Sequence, residues 1–251
     1  HTNTADATNE VIYAIGAFGG NSRTDSKIGY YNGLRHDDTD WKSSGGISAI
    51  PVYFYEFTKY DLRRDVNVAI YRVSTTKQED LQTSINWNDA KFRKSWTSIT
   101  GTSQNLGIDW PLLRYADILL MFAEADSELH NGPSQEAKDA VLAVRQRAYA
   151  GNLAQVGTIP SDKTGFFNYV VKERQLEFGG EGLRKYDLIR WNLLEAKINE
   201  TKQKLTQFMN GTGAYANVPE YIFYKKPASS VTNYVPTKTA QQNVLDIDFY
   251  T

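Results

Sequence analysis

Cysteine is missing from all 251 residues of this sequence, which rules out disulfides, thiolate metal sites and thiol nucleophiles within it, along with any thiol for lipid attachment. Missing too is any apolar run near the ~20 residues that a membrane-crossing helix needs, and the chain does not open on a basic stretch followed by an apolar signal core. Charge of one sign is scarce. The net charge is -1, with basic residues dispersed among acidic ones. That excludes the clustered Lys and Arg by which proteins grip nucleic-acid phosphates. Only three histidines occur, His1, His36 and His130, far apart and without the spacing of a zinc site. No phosphate loop or nucleophile elbow is present, since Gly16-Ala17-Phe18-Gly19-Gly20 lacks both the lysine and a following helix signal. No cofactor motif is left to consider.

Aromatic residues, by contrast, are plentiful: 16 tyrosines and 5 tryptophans in a polar chain. Several fall among Gly, Ser, Asn and Asp, where loops are expected. Residues 10–18 alternate β-branched and aromatic side chains and read as a strand. A long polar stretch follows to Gly46, and a loop of that length inside a compact domain is usually functional or disordered. Residues 52–58 and 67–73 read as two further short strands around Asp61-Leu62-Arg63-Arg64-Asp65.

From Asp109-Trp110-Pro111 the pattern becomes helical, because proline suits the first helical turn. Ala116, Leu119, Leu120 and Ala123 form a buried stripe, and its alanines permit close approach of a second helix. Asn131-Gly132-Pro133 stops the first helix. Ser134 caps the second, whose stripe is Ala137, Val141, Val144 and Ala148. So short a connection forces an antiparallel hairpin resembling one tetratricopeptide-like unit, for which no second copy is found. A third helix is expected over 164–178 with Phe167, Val170 and Val171 inward, and a fourth from Leu183 to the stop at Asn210-Gly211. Tyrosine-rich coil follows. The fold class is mostly α with minor β, in three parts: a loop-rich region (1–105), a helical scaffold (106–210) and a coil-rich end (211–251).

Three clusters invite chemistry. Glu173, Glu177 and Glu181 at helical spacing could be the paired acids of a glycosidase. Arg174, Arg184, Asp187 and Arg190 are interleaved with them, so a helix-to-helix ion-pair network is the better reading, and Arg114, Asp117, Glu124 and Arg145 should knit the hairpin to the next helix. Asp37-Asp38-Thr39-Asp40 offers oxygen ligands suited in kind to calcium, but lacks the spacing of an EF-hand loop and reads as an acidic turn. No catalytic or metal-ligating residue is assigned. The third cluster is Tyr30, Tyr31, Arg35, Asp37, Asp40 and Trp41. Sugar rings present a face of C–H groups and a rim of hydroxyls, so flat rings beside hydrogen-bonding side chains suit them. Each stack contributes on the order of 1 kcal/mol. The competing reading is that Tyr31 or Trp41 simply pins the loop to the scaffold.

The segments 110–125 and 173–191, with the strand at 10–18, Asp61-Leu62-Arg63-Arg64 and Lys91-Phe92-Arg93, resemble the C-terminal half of the SusD/RagB family of Bacteroidetes outer-membrane lipoproteins. The resemblance implies a cell-surface protein that binds glycans, or peptides in some branches, without catalysis, and sits as a lid on a SusC-like TonB-dependent transporter. It implies that a lipid anchor outside this chain holds it to the outer membrane, and that the chain is a C-terminal fragment of a longer protein. By the same resemblance, the loop after the first strand is where ligand-stacking residues tend to lie. A mainly transporter-contacting role is the alternative.

Overall fold

The computed structural model describes residues 10–19 and 25–218. The expected coil beyond residue 218, the first nine residues and 20–24 of the long loop lie outside the described residues.

Strand β1 (Val11–Ile15) forms where it is expected and pairs antiparallel with β6 (Trp110–Arg114), with Ile15 opposite Trp110 and Val11 opposite Arg114. This corrects the expectation of a helix opening at Trp110-Pro111. Proline is tolerated in a two-stranded ribbon, where no interior ladder bond is lost. Pairing with a strand a hundred residues earlier therefore decides the conformation. Arg114, still extended, becomes the residue from which helix α4 (Tyr115–Leu129) starts.

Between the two strands lie short elements. Helix α1 (Ile28–Tyr31) sits within the long loop, and α2 (Pro51–Phe54) replaces the strand expected over 52–58. Pro51 occupies the first helical turn, where its fixed φ favours a helix, and Val52 and Phe54 are both buried. Alternation of apolar residues over so short a stretch does not separate strand from helix. Helix α3 (Arg63–Asn67) is followed by β2 (Val68–Ala69) and β3 (Tyr71–Val73), which pair with β5 (Asn88–Asp89) and β4 (Glu79–Leu81) respectively. The strand expected over 67–73 is thus present but divided at Ile70.

The scaffold is α4, α5 (Gln135–Ala148) and α6 (Lys163–Glu177), with α4 packed against both others. Ala116, Leu120 and Ala123 meet Ala137, Val141 and Val144, and α6 adds Phe166 and Val170 to the same core. The hairpin therefore gains a third helix as its partner. Phe166, rather than Phe167, is the fully buried ring; Phe167 meets Trp191 edge-on at 5.7 Å. Ser134 Oγ accepts the Ala137 amide at 3.1 Å, and Asp162 caps α6 through the Gly165 amide. The fourth helix divides into α7 (Arg184–Arg190) and α8 (Leu194–Asn210) at Asn192, whose φ of 54° is left-handed. Asparagine tolerates that conformation better than most residues. Gly211, also left-handed, ends α8. The fold is mostly helical, as the sequence implies.

Candidate functional site

The glutamates of α6 are locked. Glu173 is fully buried and takes Arg63 Nη1 and Arg145 Nη1, each at 2.6 Å. Glu177 takes Arg63 and Arg114 at 3.0 Å each and also Arg147. Glu181 takes Arg114 at 2.8 Å together with the ammonium of Lys91. Burial alone would raise the Glu177 carboxyl, but Arg114, Arg147, Lys91 and Arg63 outweigh it and hold the group down at about 2. A glycosidase acid needs the opposite shift. The interleaved arginines serve other partners than the glutamates beside them, which corrects that part of the expectation: Arg174 bridges Asp117 at 2.6 Å and Asp187 at 2.7 Å, Arg190 pairs with Glu124, and Arg184 bonds the Val171 carbonyl, while Asp117 and Glu124 knit the hairpin to the following helices as expected. Arg63, from the Asp-Leu-Arg-Arg turn, Lys91, from Lys-Phe-Arg, and Arg147 of α5 are members that helical spacing did not reveal. Arg63 and Lys91 reach α6 from the loop-rich region.

The long loop is ordered by its own polar side chains. His36 and Ser43 exchange backbone hydrogen bonds, closing residues 37–42 into a tight excursion. Asp38, only 3% exposed, accepts the amides of Asp40 and Trp41 at 2.9 and 3.0 Å and bonds His36 Nδ1 at 2.9 Å. It fastens the loop and faces no ligand. Burial draws Asp38 upward, yet the bonds from His36 and from the two amides leave it below the usual carboxylate range. Burial pushes the His36 imidazole down, so it is neutral, and its Nε2 is enclosed without a hydrogen-bond partner among the described residues. Because the folded value lies below the unfolded one near 6.5, this group's stabilisation is complete above about pH 6.5 and declines as pH falls below it. Thermal melts at pH 7.5 and 5.5 should show that decline. His36→Gln, whose amide can still donate to Asp38, should reduce it.

Of the six residues singled out by composition, only Arg35 lines a polar cleft; Asp37 pairs with two of its arginines, and the Tyr30 carbonyl accepts from the amide of Gly45, which lines it too. Tyr30 and Tyr31 meet edge-on at 5.0 Å, and Tyr31 is 43% exposed. Gly45 and Gly46 run beside them: a Cβ on Gly46 would lie 3.5 Å from the Tyr31 ring, and one on Gly45, whose φ is +56°, would collide with Arg35. Arg35 and Gly45 in turn line a cleft of about 350 Å³ with Ser48, Arg72, Gln82 and Asn88. Asp37 holds both arginines, Arg35 at 3.1 Å and Arg72 at 3.5 Å. Asn88 donates to the Gly45 carbonyl at 2.6 Å and accepts from Gln82 at 3.1 Å, which fixes the cleft floor. Asp40 turns elsewhere, to Lys77 at 2.6 Å. Trp41 is half-buried, with its amide tied to Asp38. Arg72, Gln82 and Asn88 were not found from sequence; the only signal was polarity in the stretch between two strands.

The remaining tryptophans divide. Trp87, 3% exposed, packs against Phe54 in the core. Trp110 stacks on Phe92, and Trp191 lies under Arg190 and donates to Glu124, as scaffold residues should. Trp96 is exposed beside Arg93.

The helical frame is stitched together by ion pairs and carries an open cleft lined by arginine, amide and hydroxyl groups. The chain belongs to the SusD family, whose model matches residues 30–246. Among curated relatives, SusD-like protein P25 of Formosa agariphila is 41% identical over 83 residues, 33% of this chain and 15% of that protein. The crystal structure of a SusD homolog from Bacteroides thetaiotaomicron superposes with a TM-score of 0.69 at 27% identity, covering 81% of this chain and 45% of that one. A laminarin-binding SusD-like protein shares the fold with a TM-score of 0.58 at 21% identity, over 76% of this chain and 44% of the other. The chain thus spans less than half the length of each of these proteins.

Proposed function

We propose that this chain is a non-catalytic glycan-binding region of a surface nutrient-uptake protein, and that it takes oligo- or polysaccharide at the cleft between Arg35, Arg72 and Asn88. The observation that carries this reading is that Arg35 and Gly45 line the cleft together with Arg72 and Asn88, while the exposed ring of Tyr31 lies against Gly46, the residue next to Gly45. A sugar ring stacked on Tyr31 would bring its hydroxyls to the arginines and amides. Membership of the SusD family and the shared fold of a laminarin-binding relative support it. In the whole protein, the captured glycan would pass to a SusC-like TonB-dependent transporter in the outer membrane, with a lipid anchor outside this chain holding the module there. Tyr30, Asp37, Asp40 and Trp41 belong to the same loop, with Asp37 as the residue that orients the arginines.

Affinity electrophoresis across a panel of polysaccharides tests the proposal. Tyr31→Ala with Arg72→Ala should weaken retardation by roughly tenfold or more, since one stack and one charged hydrogen bond together exceed 1.4 kcal/mol. Undiminished retardation on every polysaccharide that binds the parent would remove these residues from the site.

A second reading has its own observation. Tyr13, Ile15, Leu112, Tyr115, Met121 and Phe122 are exposed on the neighbouring β1, β6 and α4, and exposed apolar surface marks protein contacts. On that reading the region chiefly contacts the transporter or a peptide. A blank glycan array together with co-purification of a transporter would favour it.

A further inference from the structure

On a different part of the molecule, α2, α6, the α6–α7 turn and α8 enclose two adjoining cavities of about 340 and 280 Å³, which share Glu56, Gln175, Arg184, Thr201 and Lys204. Together they fall within the roughly 300–1,000 Å³ of ordinary ligand pockets. Their walls are one-sided in charge. Arg184, Lys185, Lys197, Lys202 and Lys204 face them with only Glu56 and Glu200 in opposition. Both carboxylates are already committed: Glu56 bridges Lys172 and Lys204, and Glu200 bridges Lys197 and Lys204. Arg184 donates only to the Val171 carbonyl and, weakly, to Gln175, and neither it nor Lys185 nor Lys202 has a carboxylate within ion-pair distance among the described residues. The floor is apolar, with Val52, Phe178 and Leu188.

A half-buried guanidinium without a carboxylate in ion-pair contact is unfavourable unless an anion arrives. Arg184 is so placed, and burial lowers its pKa against the fields of Asp187 and Glu200, while Lys185 and Lys202 stand exposed at the rim. Burial first, then Lys204, Arg184 and Lys197 against the opposing field of Glu200, lower the Lys172 amine to about 7 although it pairs with Glu56. The six residues of the tyrosine loop line neither cavity, and the cleft's chemistry differs from theirs.

We propose that this cleft is a second ligand site, one that seats an anionic group, a carboxylate or a sulfate ester carried on a saccharide, against Arg184, which both cavities share, with Lys185 at the rim of one cavity and Lys202 at the rim of the other. The apolar floor receives the C–H face of the sugar while Arg184 takes its charge and the rim lysines add to the field. The proposal rests on the reading that the chain handles carbohydrate, and it adds a charged substituent to the ligand class.

Affinity electrophoresis at fixed ionic strength, in gels holding polygalacturonate, heparin or laminarin, tests it. The parent should be retarded by polygalacturonate, by heparin or by both; retardation by polygalacturonate shows that a carboxylate suffices, and retardation by heparin alone points to the sulfate ester. Lys202→Glu and Lys185→Glu, at exposed positions that make no ion pair, should each weaken that retardation roughly tenfold or more, the worth of one charge-assisted hydrogen bond. Arg184→Gln should do the same. Lys138→Glu, an equal charge change on the far helix α5, should alter it about twofold at most, as a screened distant charge does. Equal losses in Lys138→Glu and Lys202→Glu would reduce the effect to diffuse attraction and overturn the proposal. Retardation by laminarin alone, unaffected by the cleft variants but lost with Tyr31→Ala and Arg72→Ala, would overturn it while leaving the glycan reading intact. Retardation by none of the three polymers would overturn it as well.

Discussion

Replacing Glu177 by alanine is expected to lower the free energy of unfolding by about 3–5 kcal/mol, the cost of stranding buried charges whose partner is gone. Arg63, Arg114 and Arg147 all converge on that one carboxylate. They arrive from the α3 turn, the end of β6 and α5, so the loss would reach three elements together. Glu177→Gln, which keeps the volume and one acceptor, should cost less. Chemical denaturation would measure both, and a change under about 1 kcal/mol for the alanine variant would mean that the pair behaves like an exposed surface bridge. The same group predicts the acid limb of stability. Its folded value of about 2 lies below the ordinary 4.5, so its contribution is complete above about pH 4.5 and is lost as pH falls through about 2.

The second large effect is expected at Lys94. This side chain is almost wholly buried, and its ammonium donates to three backbone carbonyls, those of Lys42 at 2.9 Å and of Gly101 and Ser103 at 2.6 Å each. A buried lysine normally needs a carboxylate; here three oriented carbonyl dipoles supply the compensation. Lys94→Met keeps the stem and removes the charge, leaving the carbonyls without that donor. At about 1–3 kcal/mol for each oxygen left unsatisfied, the destabilisation should reach about 3 kcal/mol or more. Lys42 ends the excursion that carries Trp41, so glycan affinity should fall along with stability. A melt that shifts by less than a few degrees, with unchanged binding, would show that the ammonium is replaceable by water.

The way these residues were or were not legible follows from the range of the interactions involved. The stripes of α4 and α5 and the Ser134 cap are local, set by residues three or four apart, and they stand where periodicity placed them. Pairing of Asp117, Glu124 and Arg145 with the following helices could be anticipated because helical faces and opposite charges were both on view; Arg114 makes its pairs from the end of β6 instead. The two errors of type, a helix expected at Trp110-Pro111 and a strand at 52–58, have one cause. In each, proline and alternating apolar residues fit either conformation, and a partner distant in sequence decided: β1 for Trp110–Arg114, and the cluster of Val68, Ile70 and Trp87 around Phe54. The cleft was half visible. Tyr31, Arg35 and Asp37 stood out because rings and hydrogen-bonding groups crowd together in sequence there. Arg72 and Asn88 join them only through the β2–β5 and β3–β4 pairings and the loop seated on them, which no local pattern encodes.

The central claim is that the ion-paired glutamates form a rigid frame while ligand is taken at the polar cleft beside the tyrosine loop. Hydrogen–deuterium exchange with and without a bound polysaccharide tests it most directly. New protection over residues 30–49 and 72–88, with residues 173–181 already protected and unchanged, is the predicted result. Protection appearing instead over 173–181, with the tyrosine loop exchanging as before, would contradict it.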